Sequence, residues 1–166
     1  IEQLNYRPNR FAQSLASGQS LTIGVLTQNV SSPFYDAILR GILQGLHGSD
    51  YSPIFADGYW DPKLERDALL TLLGRQVDGI VVLGGGSDEA FLAEINRQVP
   101  LLVVGRKLRS LEKQCLPLDD FQGATAATTH LLQMGHRQIA HVMGIPAHED
   151  AIERLRGYQQ ALEDAG

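Results

Sequence analysis

After Ser20 the chain alternates between short, almost continuously apolar segments and longer amphipathic segments, and this alternation constrains the fold more than any other feature. Continuously apolar segments of this length are typical of parallel strands that are buried on both faces. Strands that alternate with helices at this spacing predict an α/β fold with an open, doubly wound parallel sheet. The strand candidates are Leu21–Thr27, Pro53–Asp57, Val77–Leu83, Leu101–Gly105 and Gln138–Met143.

Capping residues mark several helix boundaries. Ser32 and Asp61 each precede a proline, which predicts an N-cap followed by proline at the first helical position. Ser87 and Asp119 are further N-cap candidates. Gly135 follows the apolar segment HLLQM and is expected to end a helix.

The pattern divides near Leu118. Residues 21–117 contain four strand–helix units, enough for one layered subdomain. Residues 118–166 contain a helix, one strand and a second helix. These three elements bury little surface by themselves, and a sheet usually needs several strands to be stable. We therefore expect 118–166 to be the start of a second, incomplete subdomain. The alternative is that these elements pack on the edge of the first sheet.

Composition excludes several classes of protein. The net charge of −5 argues against a nucleic-acid binder that uses its whole surface, although Arg7 and Arg10 allow a local contact. Cys115 is the sole cysteine, which rules out an internal disulfide and fits a reducing cytosol. No apolar run approaches the roughly 18 residues of a membrane span, and no secretory pattern is present. The chain starts at Ile1 rather than Met, so we expect a fragment of a longer protein.

The carboxyl ends of the strands carry the candidate binding residues, because open α/β sheets bind ligands beyond those ends. Aromatic residues there can stack on the apolar face of a small polar molecule, while charged residues make polar contacts. A structural explanation is open for each: the aromatics can simply pack on the sheet, and the aspartates can serve as turn or cap residues. The candidates are Phe34, Tyr35 and Trp60 for stacking and Asp57, Arg106 and Asp119 for polar contacts.

The sequence contains no recognisable catalytic motif. The segment LGGGSD at 83–88 lacks the spacing of a dinucleotide fingerprint and follows the third strand instead of the first. Glycines there more often let the backbone turn tightly or approach another group. The five histidines do not cluster, and Cys115 has no partner at metal-ligand spacing. Ser87 has no nearby histidine to act as a base. We expect no enzyme, cofactor or metal.

Three segments together resemble the LacI/GalR (lactose-repressor-type) family of transcriptional regulators. They are LNYRPNRFAQSLASGQS (4–20), IGVLTQNVSSPFYDAILRGI (23–42), and DDFQGATAATTHLLQMGHRQIAHVMG (119–144) followed by RLRGYQQALEDAG (154–166). The likeness runs almost from end to end. It implies a periplasmic-binding-protein-like (type I) effector domain, with residues 1–20 as the hinge from a helix-turn-helix DNA-binding domain that should precede Ile1.

The resemblance also implies a role for the hinge segment, which folds on operator DNA beside the hinge of a second protomer. Leu15 matches the side chain that wedges into the minor groove, and Asn9, Ala12 and Ala16 match the flanking contacts. Unstacking base steps costs a few kcal/mol, which the contacts made by bent DNA offset. The alternative is that residues 6–20 are a plain linker.

For the effector, the resemblance implies contacts from Phe34 and Tyr35 in the first half and from Asp119 at the start of the second. Arg154 matches an arginine that binds effector hydroxyls or carboxylates, a task that suits a planar guanidinium. The alternative for Arg154 is a surface pair with Glu153 or Asp150.

Two positions depart from the family pattern. Gly105 precedes Arg106 where the family often has aspartate, which removes one polar ligand and leaves the effector's identity open. Asp120 replaces the common asparagine, a change that we expect a helix start to tolerate.

The expected function is therefore a cytoplasmic, homodimeric, DNA-binding transcriptional regulator of the repressor type that contacts no membrane. Its small effector is expected to be a sugar that stacks on Phe34, Tyr35 or Trp60. The alternative is a periplasmic-type sugar-binding transport receptor of the same fold, and a flavodoxin-like enzyme is the third choice.

Overall fold

The computed structural model describes residues 18–166. Within this range the chain forms a five-stranded sheet, five α-helices and one 3-10 helix at Arg109–Gln114. The strands are β1 (Thr22–Thr27), β2 (Ser52–Asp57), β3 (Gly79–Leu83), β4 (Leu101–Val104) and β5 (Cys115–Leu116). The helices are α1 (Pro33–Leu46), α2 (Pro62–Gly74), α3 (Glu89–Gln98), α4 (Asp120–Gln133) and α5 (Glu149–Ala165).

The strands lie in the order β2-β1-β3-β4-β5, and every pairing is parallel. The prediction of an open parallel α/β sheet is confirmed. The chain passes from β1 outward to β2 and then returns to place β3 on the other side of β1. This reversal creates a switch point between β1 and β3, where sheets of this kind leave a crevice for ligands.

Two apolar cores lie on the two faces of the sheet. Leu26 and Val82 belong to a large core with residues of α2 and α3, such as Leu69 and Leu92. Val25, next to Leu26 in β1, belongs instead to a smaller core with Tyr35 of α1 and Leu83 of β3. Successive strand residues point to opposite faces, so helices on both sides explain why the strands are apolar at nearly every position.

Three of the predicted helix boundaries are confirmed. Asp61 caps α2 by accepting hydrogen bonds from the backbone N–H groups of Lys63 and Leu64. Asp119 caps α4 by accepting from Gln122. Gly135 follows the last turn of α4 with φ +91°, a backbone conformation that favours glycine.

Two capping predictions need correction. Ser32 occupies the N-cap position of α1, but its side chain makes no capping hydrogen bond. Ser87 is not a cap at all, since Asp88 caps α3 by accepting from the N–H of Phe91. The Ser87 hydroxyl donates instead to Glu65, a buried carboxylate, and a hydroxyl that serves that acceptor is not free to cap a helix.

The prediction of a strand at Gln138–Met143 is wrong, because this segment forms no ladder with any strand between residues 18 and 166. It neither joins a second sheet there nor extends the first. Its backbone is fixed by α5, where the Tyr158 hydroxyl donates to the Ile139 carbonyl at 2.6 Å. The two-residue strand β5, which pairs with β4, was not among the predicted strands. No helix in the described part of the chain is long and apolar enough to span a membrane.

Candidate ligand-binding site

A cavity of about 260 Å³ lies at the carboxyl ends of β3 and β4. Leu83 and Val104, the last residues of these strands, form its floor, and the first turns of α1 and α5 contribute to its walls. The cavity therefore sits at the edge of the sheet where the strand order predicts a ligand. Its lining combines aromatic, glycine and charged residues, a composition suited to a small polar molecule.

The aromatic wall consists of Phe34, Tyr35 and Trp60. Phe34 packs edge-on against Tyr35, with ring centroids 5.2 Å apart, and Trp60 lies 6.1 Å from Tyr35. His148, which precedes α5, stacks on Trp60 at 4.8 Å with 29° between the ring planes. Phe34 is 54% exposed, whereas Tyr35 is buried. The wall thus offers exposed aromatic surface that is held in place by a buried ring.

The Tyr35 hydroxyl is a neutral donor at physiological pH. Burial, followed by the charges of Asp150 and Glu65, raises the pKa of Tyr35 to about 12. The hydroxyl faces Gly84, where a Cβ would lie only 2.9 Å from its oxygen. Gly84 also has φ +63°, so a side chain at this position would be both strained and crowded.

Gly85, the next glycine of the same loop, lies close to two buried polar side chains, those of Gln28 and Glu65. A Cβ at Gly85 would lie 2.4 Å from Gln28 Nε2 and 2.7 Å from Glu65 Oε1. Gly85 also adopts φ +82°. The interpretation that these glycines let the backbone approach other groups closely fits this geometry.

Glu65 is fully buried and organises the glycine loop from below. Its carboxylate accepts hydrogen bonds from the N–H groups of Gly86 and Ser87 and from the Ser87 hydroxyl, at 2.5–3.1 Å. The Ser87 carbonyl in turn accepts from Arg106 Nη1 at 2.9 Å. A chain of hydrogen bonds therefore runs from Glu65 through Ser87 to a guanidinium on the cavity.

Gln28, directly after β1, supports the aromatic wall. Its side chain is 1% exposed, and its Oε1 accepts from the N–H of Trp60 at 3.0 Å. Trp60 and its neighbour Tyr59 both have positive φ, at 58° and 51°. Residues other than glycine adopt this conformation when the surroundings enforce it, often at ligand sites. The hydrogen bond that the N–H of Trp60 donates to Gln28 is one such constraint.

The opposite wall contains Arg154 between two carboxylates. Arg154 Nε donates to Asp120 Oδ1 at 2.8 Å, and Nη2 contacts Asp150 Oδ2. Burial opposes the charged form of Arg154, but the hydrogen bond and charge of Asp120 and the charge of Asp150 outweigh it, so the pKa of Arg154 is raised. Glu153, the other partner considered for Arg154, pairs with Arg156.

Comparison with known proteins agrees with this geometry. Residues 20–166 match the family described as periplasmic binding proteins and the sugar-binding domain of the LacI family. The chain belongs to this family. The HTH-type transcriptional regulator GalR of Salmonella typhimurium is 34% identical over 166 residues, which are 99% of this chain and 48% of GalR. The resemblance drawn from the sequence motifs is therefore confirmed.

Two solved structures of LacI-family regulators share the fold. The transcription regulator CcpA of Lactococcus lactis is 32% identical with a TM-score of 0.72, covering 87% of this chain and 54% of CcpA. The lac repressor dimer bound to operator and the anti-inducer ONPF is 25% identical with a TM-score of 0.76, covering 96% of this chain and 57% of the repressor chain. The chain spans about half the length of the curated relatives it matches.

Five of the seven effector candidates lie on the cavity of this LacI-family domain, and two do not. Asp57 accepts from the N–H groups of Val30 and Tyr59, both at 3.0 Å, and so fixes the turn after β2. Asp119 caps α4 and is absent from the cavity lining. Both aspartates therefore have the turn and cap contacts that the sequence left open as their alternative. The five effector candidates that line the cavity are Phe34, Tyr35, Trp60, Arg106 and Arg154.

Sequence reasoning missed several residues of the site. Glu65 lies four and seven residues before Leu69 and Leu72, which are also buried, so helical spacing placed it on the buried face. The helical spacing could therefore have shown from the sequence that Glu65 is buried. Asp120 was noted only as a replacement for asparagine, whereas its carboxylate in fact pairs with Arg154 on the cavity. No local pattern marked Gln28, because its partner Trp60 comes from another strand–helix unit.

The four hinge candidates, Asn9, Ala12, Leu15 and Ala16, lie outside the described residues. Within residues 18–166, no three His, Cys, Asp or Glu side chains form a group that is able to hold a metal ion.

Proposed function

We propose that this chain is the hinge and effector-binding part of a LacI-type transcriptional repressor whose affinity for operator DNA is controlled by a small sugar. The observation that carries the proposal is the cavity, which joins an aromatic wall to two guanidinium groups at the carboxyl ends of the strands of a LacI-family domain. Relatives named as transcriptional regulators support it over a transport receptor, although the matched family includes both classes. The protein would act in the cytoplasm, as a homodimer and without catalysis.

The domain boundaries follow from the same proposal. Residues 1–20 form the hinge to a DNA-binding head, residues 21–117 the first half of the effector domain, and residues 118–166 the beginning of the second half. All cavity residues before residue 117 then belong to one half, and Arg154 with its carboxylates belongs to the other. A ligand that contacts both walls is thereby placed to influence how the two halves close.

A sugar fits the chemistry of the two walls. The exposed ring of Phe34 and the ring of Trp60 offer apolar surface to the C–H face of a pyranose ring. Arg106 and Arg154 donate to ring hydroxyls, and the Tyr35 hydroxyl adds a neutral donor nearby. Sugar-binding sites combine apolar platforms with a few oriented polar groups in this way.

Regulation then follows from a shift between two domain arrangements. An effector that binds one arrangement more tightly than the other shifts the population in proportion to that difference in affinity. In the proposed hinge, Leu15 enters the minor groove between flanking contacts from Asn9, Ala12 and Ala16. A hinge that orders only on DNA makes operator affinity sensitive to the spacing of the two domains behind it.

The DNA half of the proposal is tested with Leu15→Ala in the full natural protein. An operator is first selected from random-sequence DNA with the wild type, and binding is then titrated by gel shift. Specific affinity should fall by at least about tenfold, equivalent to about 1.4 kcal/mol, while sugar binding is unchanged. Leu70→Ala, at an exposed position of α2, is the matched control. Equal operator affinity for Leu15→Ala and wild type would contradict the hinge assignment.

The effector half is tested by thermal shift with a panel of sugars, sugar acids, sugar phosphates and nucleobases. A sugar should raise the unfolding midpoint of the wild type, and Trp60→Ala should abolish the shift without weakening operator binding. A midpoint that responds only to a nucleobase would overturn the sugar assignment.

A further inference from the structure

The pairing of Arg154 gives the second wall of the cavity an unusual charge. Two of its guanidinium nitrogens are already engaged by Asp120 and Asp150, whose side chains are only 19% and 28% exposed. Because two carboxylates face one guanidinium, the group of three carries a net negative charge. Arg154 itself is 47% exposed at the cavity, so a ligand meets the whole group and not an isolated cation.

The N-termini of α4 and α5, which lie beside this group, also carry acidic residues. Asp120 is the first residue of α4, and Glu149 and Asp150 are the first two residues of α5. A helix N-terminus attracts anions through its free N–H groups and its dipole. Here the chain's own side chains supply those anions, and Asp119 additionally caps α4. The N-terminus of α4 is therefore capped by a side chain. The N-terminus of α5 has no side-chain cap, and Glu149 and Asp150 oppose a ligand phosphate or carboxylate there through their charge alone.

The positive charge on the other side of the cavity offsets the total charge but does not remove the negative charge beside Arg154. Arg106 and Lys107 follow β4 on the cavity, but Arg106 donates one nitrogen to the Ser87 carbonyl, and Lys107 is exposed to solvent. Together with Arg154 they equal in number the three carboxylates of the lining, Asp120, Glu149 and Asp150, so the lining is formally neutral and its negative charge is local to the side of Arg154. An anionic ligand that gains from the first pair must approach the second group, which repels it.

We propose that Asp120 and Asp150 make this cavity selective for neutral polyhydroxylated ligands over sugar acids and sugar phosphates, with Asp120 as the specificity-determining residue. The inference rests on the proposed function of the cavity as an effector site. One oxygen of each carboxylate accepts from Arg154, which leaves the second oxygen to accept from a ligand hydroxyl. A hydroxyl both donates and accepts, so it satisfies carboxylate and guanidinium together, whereas an anionic group only accepts.

Asp120→Asn isolates this effect. An asparagine side chain keeps an oxygen that can accept from Arg154 Nε but removes the charge, so the group of three becomes neutral. Asp150→Asn makes the same change from α5 and serves as the second variant. Asp67→Asn, on the exposed surface of α2 and outside the cavity lining, is the matched control for a change in net charge.

The measurement is calorimetric binding to the full-length protein of three pairs of probes: galactose and galacturonate, glucose and glucuronate, and glucose and glucose 6-phosphate. The wild type should bind the neutral member of a pair at least about tenfold more tightly than the anionic member. Asp120→Asn should narrow that ratio by about tenfold, Asp150→Asn should narrow it in the same direction, and Asp67→Asn should leave it unchanged. Unfolding midpoints without ligand establish that each variant folds.

The outcomes separate the two proposals. A wild type that prefers the acid or phosphate member, or a ratio that Asp120→Asn and Asp150→Asn leave unchanged, overturns the selectivity while the sugar-responsive regulator stands. A protein that binds no sugar of either class overturns the proposed effector, and the selectivity with it.

Discussion

Residues 21–117 and residues 118–166 both contain apolar, strand-like segments between helices, but they differ in what they bury. In the first region, alternate residues of β1 and β3 enter two cores, and side chains such as Leu26 and Leu92 are fully buried. In the second region the buried residues are small ones, Ala151, Gly157 and Ala161 of α5 and Thr128 of α4. Val142 is 94% exposed, although it lies in a segment as apolar as a strand.

The difference shows that an apolar, β-rich segment becomes a strand only where a neighbour completes its hydrogen bonds. Residues 79–83 lie between β1 and β4, which pair with both of their edges. Residues 138–143 have comparable propensity but no neighbouring strand in the described part of the chain, and they stay outside any ladder. Strand propensity measures how well side chains fit a packed sheet, so it predicts a strand only when the rest of the sheet is present.

The first prediction tests the contrast in burial with a matched pair of leucines. Leu92→Ala in α3 empties a fully buried position, whereas Leu131→Ala in α4 changes one that is 37% exposed. The free energy of unfolding from urea denaturation should fall by about 2–5 kcal/mol for Leu92→Ala. For Leu131→Ala it should fall by less than about 1 kcal/mol. Equal losses would show that the two regions share one core, against the contrast drawn here.

The second prediction concerns the contact between α4 and α5. A Cβ at Gly157 would lie 2.3 Å from the Phe121 carbonyl oxygen and 3.0 Å from the Thr125 N and Oγ1 atoms, so Gly157→Ala must push the helices apart. We expect a loss of about 1–3 kcal/mol. Hydrogen exchange should show weaker protection in α4 and α5 and unchanged protection in β1, β3 and β4. Gly123→Ala, in open space on α4, is the control, and a uniform loss across the sheet would contradict the separation.

The fold of the first region was predictable from sequence because its rules are local or periodic. Apolar segments and Asp61 before proline predicted the order of helices and strands in residues 21–117. The cap at Asp88 was assigned to Ser87 instead, since both residue types cap helices equally well in isolation. Only the buried carboxylate of Glu65, 22 residues away, decides which of them is free to do so.

The candidate site was predictable in its position but not in its electrostatics. The rule that ligands bind at strand ends located Phe34, Trp60 and Arg106 on the cavity. The pairing of Arg154 with Asp120 joins residues 34 positions apart on two helices, and no local pattern encodes such a distance. The sequence therefore suggested partners for Arg154 only on α5, where Asp150 is indeed one, whereas the packing of α4 against α5 adds Asp120 as a second carboxylate.

The third prediction uses pH to examine the smaller core beside the cavity. The pKa of Tyr35 is raised to about 12 from an ordinary value of 10.0, so the folded state holds the proton more tightly than the unfolded state. The stabilisation is complete below pH 10 and is lost as the pH rises from 10 towards 12, with a slope of at most about 1.4 kcal/mol per pH unit. Urea denaturation at pH 8, 10 and 11 should show this loss for the wild type. It should be absent in Tyr35→Phe and retained in Tyr59→Phe, which alters a 69% exposed side chain. A Tyr35→Phe variant with the same loss would assign it to other groups.

The smallest expected effect is at Val142, where it tests the comparison between the two regions most directly. Val142→Ala in the chain of 166 residues should change the free energy of unfolding by no more than about 0.5 kcal/mol, because the side chain is 94% exposed. If residues 118–166 begin a second half, as we propose, the longer natural protein supplies neighbouring strands, and the same substitution there should cost about 1–3 kcal/mol. Two small, equal values would contradict the proposed domain boundary, because Val142 would then stay outside a core in both contexts. A large loss in the short chain would instead show that Gln138–Met143 packs as a strand without any further sequence. It would then be wrong that an apolar segment becomes a strand only beside a neighbouring strand.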